Sequence, residues 1–83
     1  MKHSIYSIQD TVVANYAAPF MQPNDRVALR TFSNLVSDPA SRISANPADY
    51  SLWKIADFDD ETSVLSTFAP VLLGNGASFV KAV

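Results

Sequence analysis

One stretch of this chain repeats its apolar residues at helical spacing, and that stretch sets what the rest can build. Pro23, Asn24 and Asp25 open it, with Asn24 as the expected N-cap and Asp25 in the first turn, where a carboxylate meets unpaired backbone N–H groups. Ala28, Phe32, Leu35 and Val36 then form one stripe, and Arg26, Arg30, Ser33, Asn34 and Ser37 fill the opposite face. Asp38-Pro39 stops the run, because the residue before a proline avoids the α region. The expectation is one helix over Asp25–Ser37. A helix of that length covers a single face of a small sheet, so any strand that is apolar on both faces needs a second cover.

The flanking segments alternate at the strand period. In residues 3–9, Tyr6 and Ile8 share a face with Ser4, and Ile5 lies on the other between His3 and Ser7. Residues 12–21 form a second apolar stretch, a strand or a packed loop, in which Pro19 indicates an edge or a strand end. Residues 39–47 read as a polar loop with Ile43 anchored in the core. In residues 50–58, Tyr50, Leu52, Ala56 and Phe58 share a face with Lys54, while Trp53 and Ile55 share the other with Ser51 and Asp57. Both faces are partly apolar, so the face of Trp53 and Ile55 is a candidate interface, covered by the C-terminal segment or by another subunit. Asp59, Asp60, Glu61 and Thr62 make a turn, residues 64–68 a further strand ended by Pro70, and Gly74-Asn75-Gly76 a break. The tail after it docks as a short strand or helix, or frays. The order strand-strand-helix-strand-strand predicts an α+β class: one domain over residues 1–83, with one helix on a face of a small antiparallel sheet.

A chain of 83 residues has a thin core, and with no cysteine it has no disulfide to reinforce it. A homo-oligomer is therefore expected. The lone histidine and absent cysteines argue against structural zinc, and no cofactor or metal is expected. No signal peptide and no membrane-spanning run is read, which points to a protein that stays in the cytoplasm, away from membranes.

No catalytic constellation is legible. Asp57, Asp59, Asp60 and Glu61 hold four of the eight acidic residues and invite a calcium or magnesium reading, but the glycine and terminal glutamate of a calcium loop are missing. A hairpin turn is the plainer reading. A metal-dependent nuclease on Asp57, Asp59 and Glu61 would be the only enzyme of this kind, and a non-enzyme is expected. His3 lacks a nucleophile or a second ligand beside it and reads as solvated. Arg26 and Arg30, one helical turn apart, together with Arg42, are candidates for contacting phosphates, and Tyr6, Tyr50 and Trp53 for stacking on single-stranded bases. The alternative makes the arginines a solvated face and the aromatics core or interface. The net charge of −2 lacks the basic excess of dedicated nucleic-acid binders.

Three blocks in order, KHSIYSIQDTVVANYAAPF, MQPNDRVALRTFSNLVSDPAS and NPADYSLWKIADFDDET, resemble the small nonstructural protein of gokushovirus-type microviruses, bacteriophages with single-stranded DNA genomes. DYSLWKIADFDDET is the most specific part, the resemblance covers about residues 1–76, and GNGASFVKAV matches only loosely. It implies a phage-encoded protein absent from the mature virion, working in the host bacterial cytoplasm in replication of the viral genome. It carries over no functional residue. Two functions follow: an accessory protein binding single-stranded DNA or the phage replication protein, or an adaptor without nucleic-acid affinity that acts on host machinery or capsid assembly.

Overall fold

The computed structural model describes residues 1–80. Strand β1 (Lys2–Asp10) is followed by two short strands, β2 (Asn15–Tyr16) and β3 (Phe20–Gln22). Helix α1 (Asp25–Ser37) and a single helical turn, α2 (Arg42–Ala45), come next, and the long strands β4 (Tyr50–Asp59) and β5 (Leu65–Asn75) close the chain with a 3-10 turn over Gly76–Phe79. The sheet is antiparallel throughout, in the order β2-β1-β4-β5, with β3 also pairing to β1. This is the expected α+β class with one main helix on one face.

Helix α1 has the bounds its sequence dictates. The Asn24 side chain accepts a hydrogen bond from the Val27 N–H at 3.0 Å, and Asp38 leaves the helix in extended conformation before Pro39. The stripe of Ala28, Phe32 and Val36 is buried against Tyr6 and Leu52 of the central strands, and Ile43 of α2 closes the cluster. Ile43 is thus anchored as expected, although its surroundings are a helical turn, capped by Ser41 at 3.0 Å, rather than a loop.

The C-terminal segment joins this same layer. Phe79 meets Phe32 edge-on at a centroid separation of 5.6 Å. Gly76 allows the chain to turn in: a Cβ there would lie 2.1 Å from the Pro47 carbonyl oxygen. The described part of the tail therefore packs on the helix side and does not cover the face of Trp53. Residues 81–83, the end of the predicted tail, lie outside the described residues.

Three expectations need correction. Residues 12–21 give only the two short strands, because the turn is built around Ala14 in the left-handed region (φ 59°) and because Pro19 interrupts the edge. Strand β5 does not end at Pro70 but continues to Asn75. The ladder absorbs the proline in an irregularity: Lys54 opposes Val71 and Ala56 opposes Thr67, so three residues of β5 span one of β4. On the opposite side of β4 the register also shifts, with Tyr6 opposite Lys54 and Ile5 opposite Ala56. Ile55 is the extra residue. A one-residue insertion in a strand exchanges its faces, so Asp57 joins Lys54 on the helix side, and Ala56 and Phe58 move to the face of Trp53.

Candidate nucleic-acid interface

The three arginines sit in the helical layer, all exposed. The cap that starts α1 also orients its first turn. Arg26 and Arg30 consequently project side by side and, with Asn24 and Val27, line a shallow groove of ≈ 360 Å³ at the N-terminal end of the helix. The unpaired N–H groups and the dipole of that end add to the positive potential of the two guanidinium groups. Arg42 lies elsewhere. It borders an open groove of ≈ 470 Å³ with Tyr16, Tyr50 and Ile8, into which Asp10 also faces. Among the described residues, none of the three arginines is ion-paired with a carboxylate.

The predicted aromatics separate. Tyr6 is 0% exposed and cannot present a stacking face. Its position in β1 directs it under α1, where burial is worth more than exposure of the ring. The hydroxyl donates to the Asp25 carboxylate at 2.7 Å. Burial first, and this hydrogen bond second, push the Tyr6 phenol up to about 12 from its ordinary 10.0. Tyr50 is half-buried against the core and reaches the groove of Arg42. Trp53 lies on the opposite face of the sheet, where its indole N–H donates to Ser51 Oγ at 2.8 Å and Tyr16 packs against it at 6.3 Å between centroids. Ile55 floors a neighbouring apolar cleft with Ser7, Ala17, Pro19 and Pro70. The six candidates thus form no single site: Arg26 with Arg30 is one locus, Arg42 with Tyr50 a second, and Trp53 belongs with the interface candidate Ile55.

The acidic residues are occupied locally. Asp59 Oδ1 accepts from the Glu61 N–H at 3.0 Å and so shapes its own turn, with Ser63 in the left-handed region at φ 63°. Asp60 accepts from the Met1 amino group at 2.7 Å and pairs with His3 Nε2 at 2.8 Å. These contacts, the amino group first, hold its carboxyl below the usual carboxylate range. His3 is therefore not simply solvated; it fastens the start of β1 to the hairpin turn. Asp57 accepts from Ser4 Oγ at 3.3 Å and lies 3.7 Å from Lys54 Nζ, which is also 3.9 Å from Asp25. Among the described residues no group of three or more His, Cys, Asp and Glu is disposed to hold a metal ion.

Two features escaped the sequence reading. Tyr16 joins both the Arg42 groove and the Trp53 face, yet it lies in an irregular segment with no period to place it. The row Ser4–Asp57–Lys54–Asp25–Tyr6 depends on the bulge at Ile55, which no local pattern announces.

Taken together, these are the features of a small α+β protein with an arginine-bearing helical layer on one side of its sheet and a partly open apolar face on the other. The chain belongs to the phage ORF5 protein family, which it matches over residues 3–79. No curated protein and no solved structure matches it. Among the described residues, no helix is long and apolar enough to cross a membrane.

Proposed function

We propose that this phage protein is an accessory factor of the gokushovirus type, acting in synthesis of the single-stranded viral genome in the host cytoplasm, by binding and not by catalysis. One observation carries the reading. Among the described residues Arg26, Arg30 and Arg42 are exposed in the helical layer without carboxylate partners, while five of the eight acidic residues, Asp25, Asp57, Asp59, Asp60 and Glu61, lie at the far turn or in the row along Lys54. A chain of net charge −2 can thus still offer a local basic surface.

Fluorescence anisotropy with a single-stranded oligonucleotide tests it. Three phosphate contacts per chain predict a log–log salt slope of about −2, and binding should be readily seen at about 50 mM salt. Replacing Arg26, Arg30 and Arg42 together by Gln should abolish both affinity and slope. Absence of binding by the native chain at that salt refutes direct DNA contact.

The second reading, a protein adaptor, draws on the acidic balance and on the apolar face around Trp53. It would be supported by a complex recovered from infected cells that contains a protein partner and no DNA.

A further inference from the structure

The two edges of the sheet are built differently. The edge beyond β1 is made of two short pieces, β2 and β3, separated by a segment containing Pro19. Short, interrupted strands are a common protection against pairing with foreign strands. The edge at β5 is longer and carries less of that protection. It runs eleven residues, Leu65–Asn75, and contains no charged side chain. Its residues 65–72 are exposed on both faces, because α1 does not reach over them. Its ladder to β4 is irregular at residues 68–70, around Pro70, and again at Leu73.

Val64, Leu65, Phe68, Val71 and Leu72 keep between 38% and 56% of their surface. At roughly 200 Å² for a large apolar side chain, these five offer about 500 Å², to which the backbone edge adds; a standard partner contributes about 800 Å². The shape agrees with an uncovered arm. The molecule measures 45 × 24 × 19 Å with a radius of gyration of 13.2 Å, against roughly 12 Å for a compact chain of this length.

We infer that β5 pairs antiparallel with β5 of a second copy, joining the two sheets into one. Three arguments select a second copy over another partner. A long, exposed, uncharged apolar edge is an aggregation hazard from the moment of synthesis even with one proline in it, so its cover must always be present. A strand without charges meets its own copy with no like-charge opposition and offers nothing that would select a charged partner. A two-fold contact also closes on itself, leaving only the short, interrupted edges outside. The interface is at the small end of specific ones, where weak association is common, and a dissociation constant in the micromolar range is expected. This dimer does not depend on the DNA-binding reading. It does bear on it: a two-fold perpendicular to the joined sheet sets both helical layers on one side, and with them two copies of the arginine set.

Sedimentation of the full chain at about 200 μM, well above a micromolar dissociation constant, should return twice the chain mass of 9.0 kDa. A mass of 9.0 kDa at that concentration, or one that rises only when a different protein is added, overturns the inference. Ser66→Lys combined with Leu72→Lys should halve the mass with far-UV circular dichroism unchanged; a dimer that persists in this variant overturns it as well. A second measurement holds if those lysines unfold the chain. The sequence has no cysteine, so Ser66→Cys, Ala69→Cys and Leu72→Cys introduce single thiols along β5. Under mild oxidation at least one should form a covalent dimer about tenfold faster than Asn34→Cys on α1, because a two-fold brings equivalent positions within disulfide reach. Equal rates at all four positions refute the pairing.

Discussion

Replacing Tyr6 by Phe tests how the helix is fastened to the sheet. The ring stays in the core and only the hydroxyl goes, with its 2.7 Å hydrogen bond to Asp25. A hydrogen bond to a charged group contributes roughly 1.5–3 kcal/mol. Asp25 remains 46% exposed and regains water when the phenol is removed, so the lower end applies, about 1.5 kcal/mol at pH 7. For a domain of this size that is a fall in melting temperature of about 6–12 °C. The pH dependence supplies an independent check. The folded-state phenol is pushed up to about 12 from an ordinary 10.0, so the unfolded chain loses this proton first. Stability from Tyr6 is therefore complete below pH 10 and is lost as pH rises from about 10 to about 12, a change of roughly 2–3 kcal/mol. Phe cannot ionise, so Tyr6→Phe keeps what the native chain loses, and the two stability curves should cross at about pH 11. Urea unfolding of both proteins at intervals between pH 7 and pH 12 measures this directly, since every other titrating group is common to both. A variant within about 0.5 kcal/mol of the native chain at pH 7, or curves that run parallel above pH 9, would refute the reasoning.

Three further substitutions follow from geometry. Gly76→Ala would place a Cβ 2.1 Å from the Pro47 carbonyl, backbone against backbone, and should cost about 2–3 kcal/mol by thermal unfolding with loss of hydrogen-exchange protection at Asn75–Phe79. Asn24→Ala removes the cap that receives the Val27 N–H at 3.0 Å and should lower stability by about 1 kcal/mol in the same assay. Lys54→Met should cost less than about 1 kcal/mol and the difference should shrink in high salt, because its ion pairs are long, at 3.7 and 3.9 Å.

What could be read in advance was whatever repeats locally. The stripe Ala28–Phe32–Val36 and the Asn24 cap are properties of a few neighbouring residues, and α1 follows from them. The placement of Tyr6 and Ile8 with Ser4 needs only the period of two. The failures in β4 and β5 arise where one strand answers to another. Pro70 is a strand stop by its own chemistry, yet at an edge it removes only one donor, and a local mismatch of three residues against one lets β5 run on to Asn75. Ile55 looks like any other strand residue, but as the unpaired one it moves Asp57 under the helix layer beside Lys54 and turns Phe58 outward.

That exchange of faces also accounts for the distribution of charge and apolar surface on which the functional reading rests. Had β4 kept a regular alternation, Asp57 would lie beside Trp53, and Phe58 would lie under the helix layer. The face of Trp53 would then carry a carboxylate and repel both an apolar partner and a phosphate backbone. The bulge instead places that carboxylate against Lys54, leaving Ile5, Trp53 and Phe58 on a face without an acidic side chain from β1 or β4, since Asp10, Asp57 and Asp59 all alternate to the helix side. Deleting Ile55 separates the bulge from the exchange of faces. Lys54, Ala56 and Asp57 would then alternate regularly against Tyr6, Ile5 and Ser4, so Asp57 should stay beside Lys54 and the tryptophan emission maximum should not move; a red shift would refute the assignment of Ile55 as the extra residue.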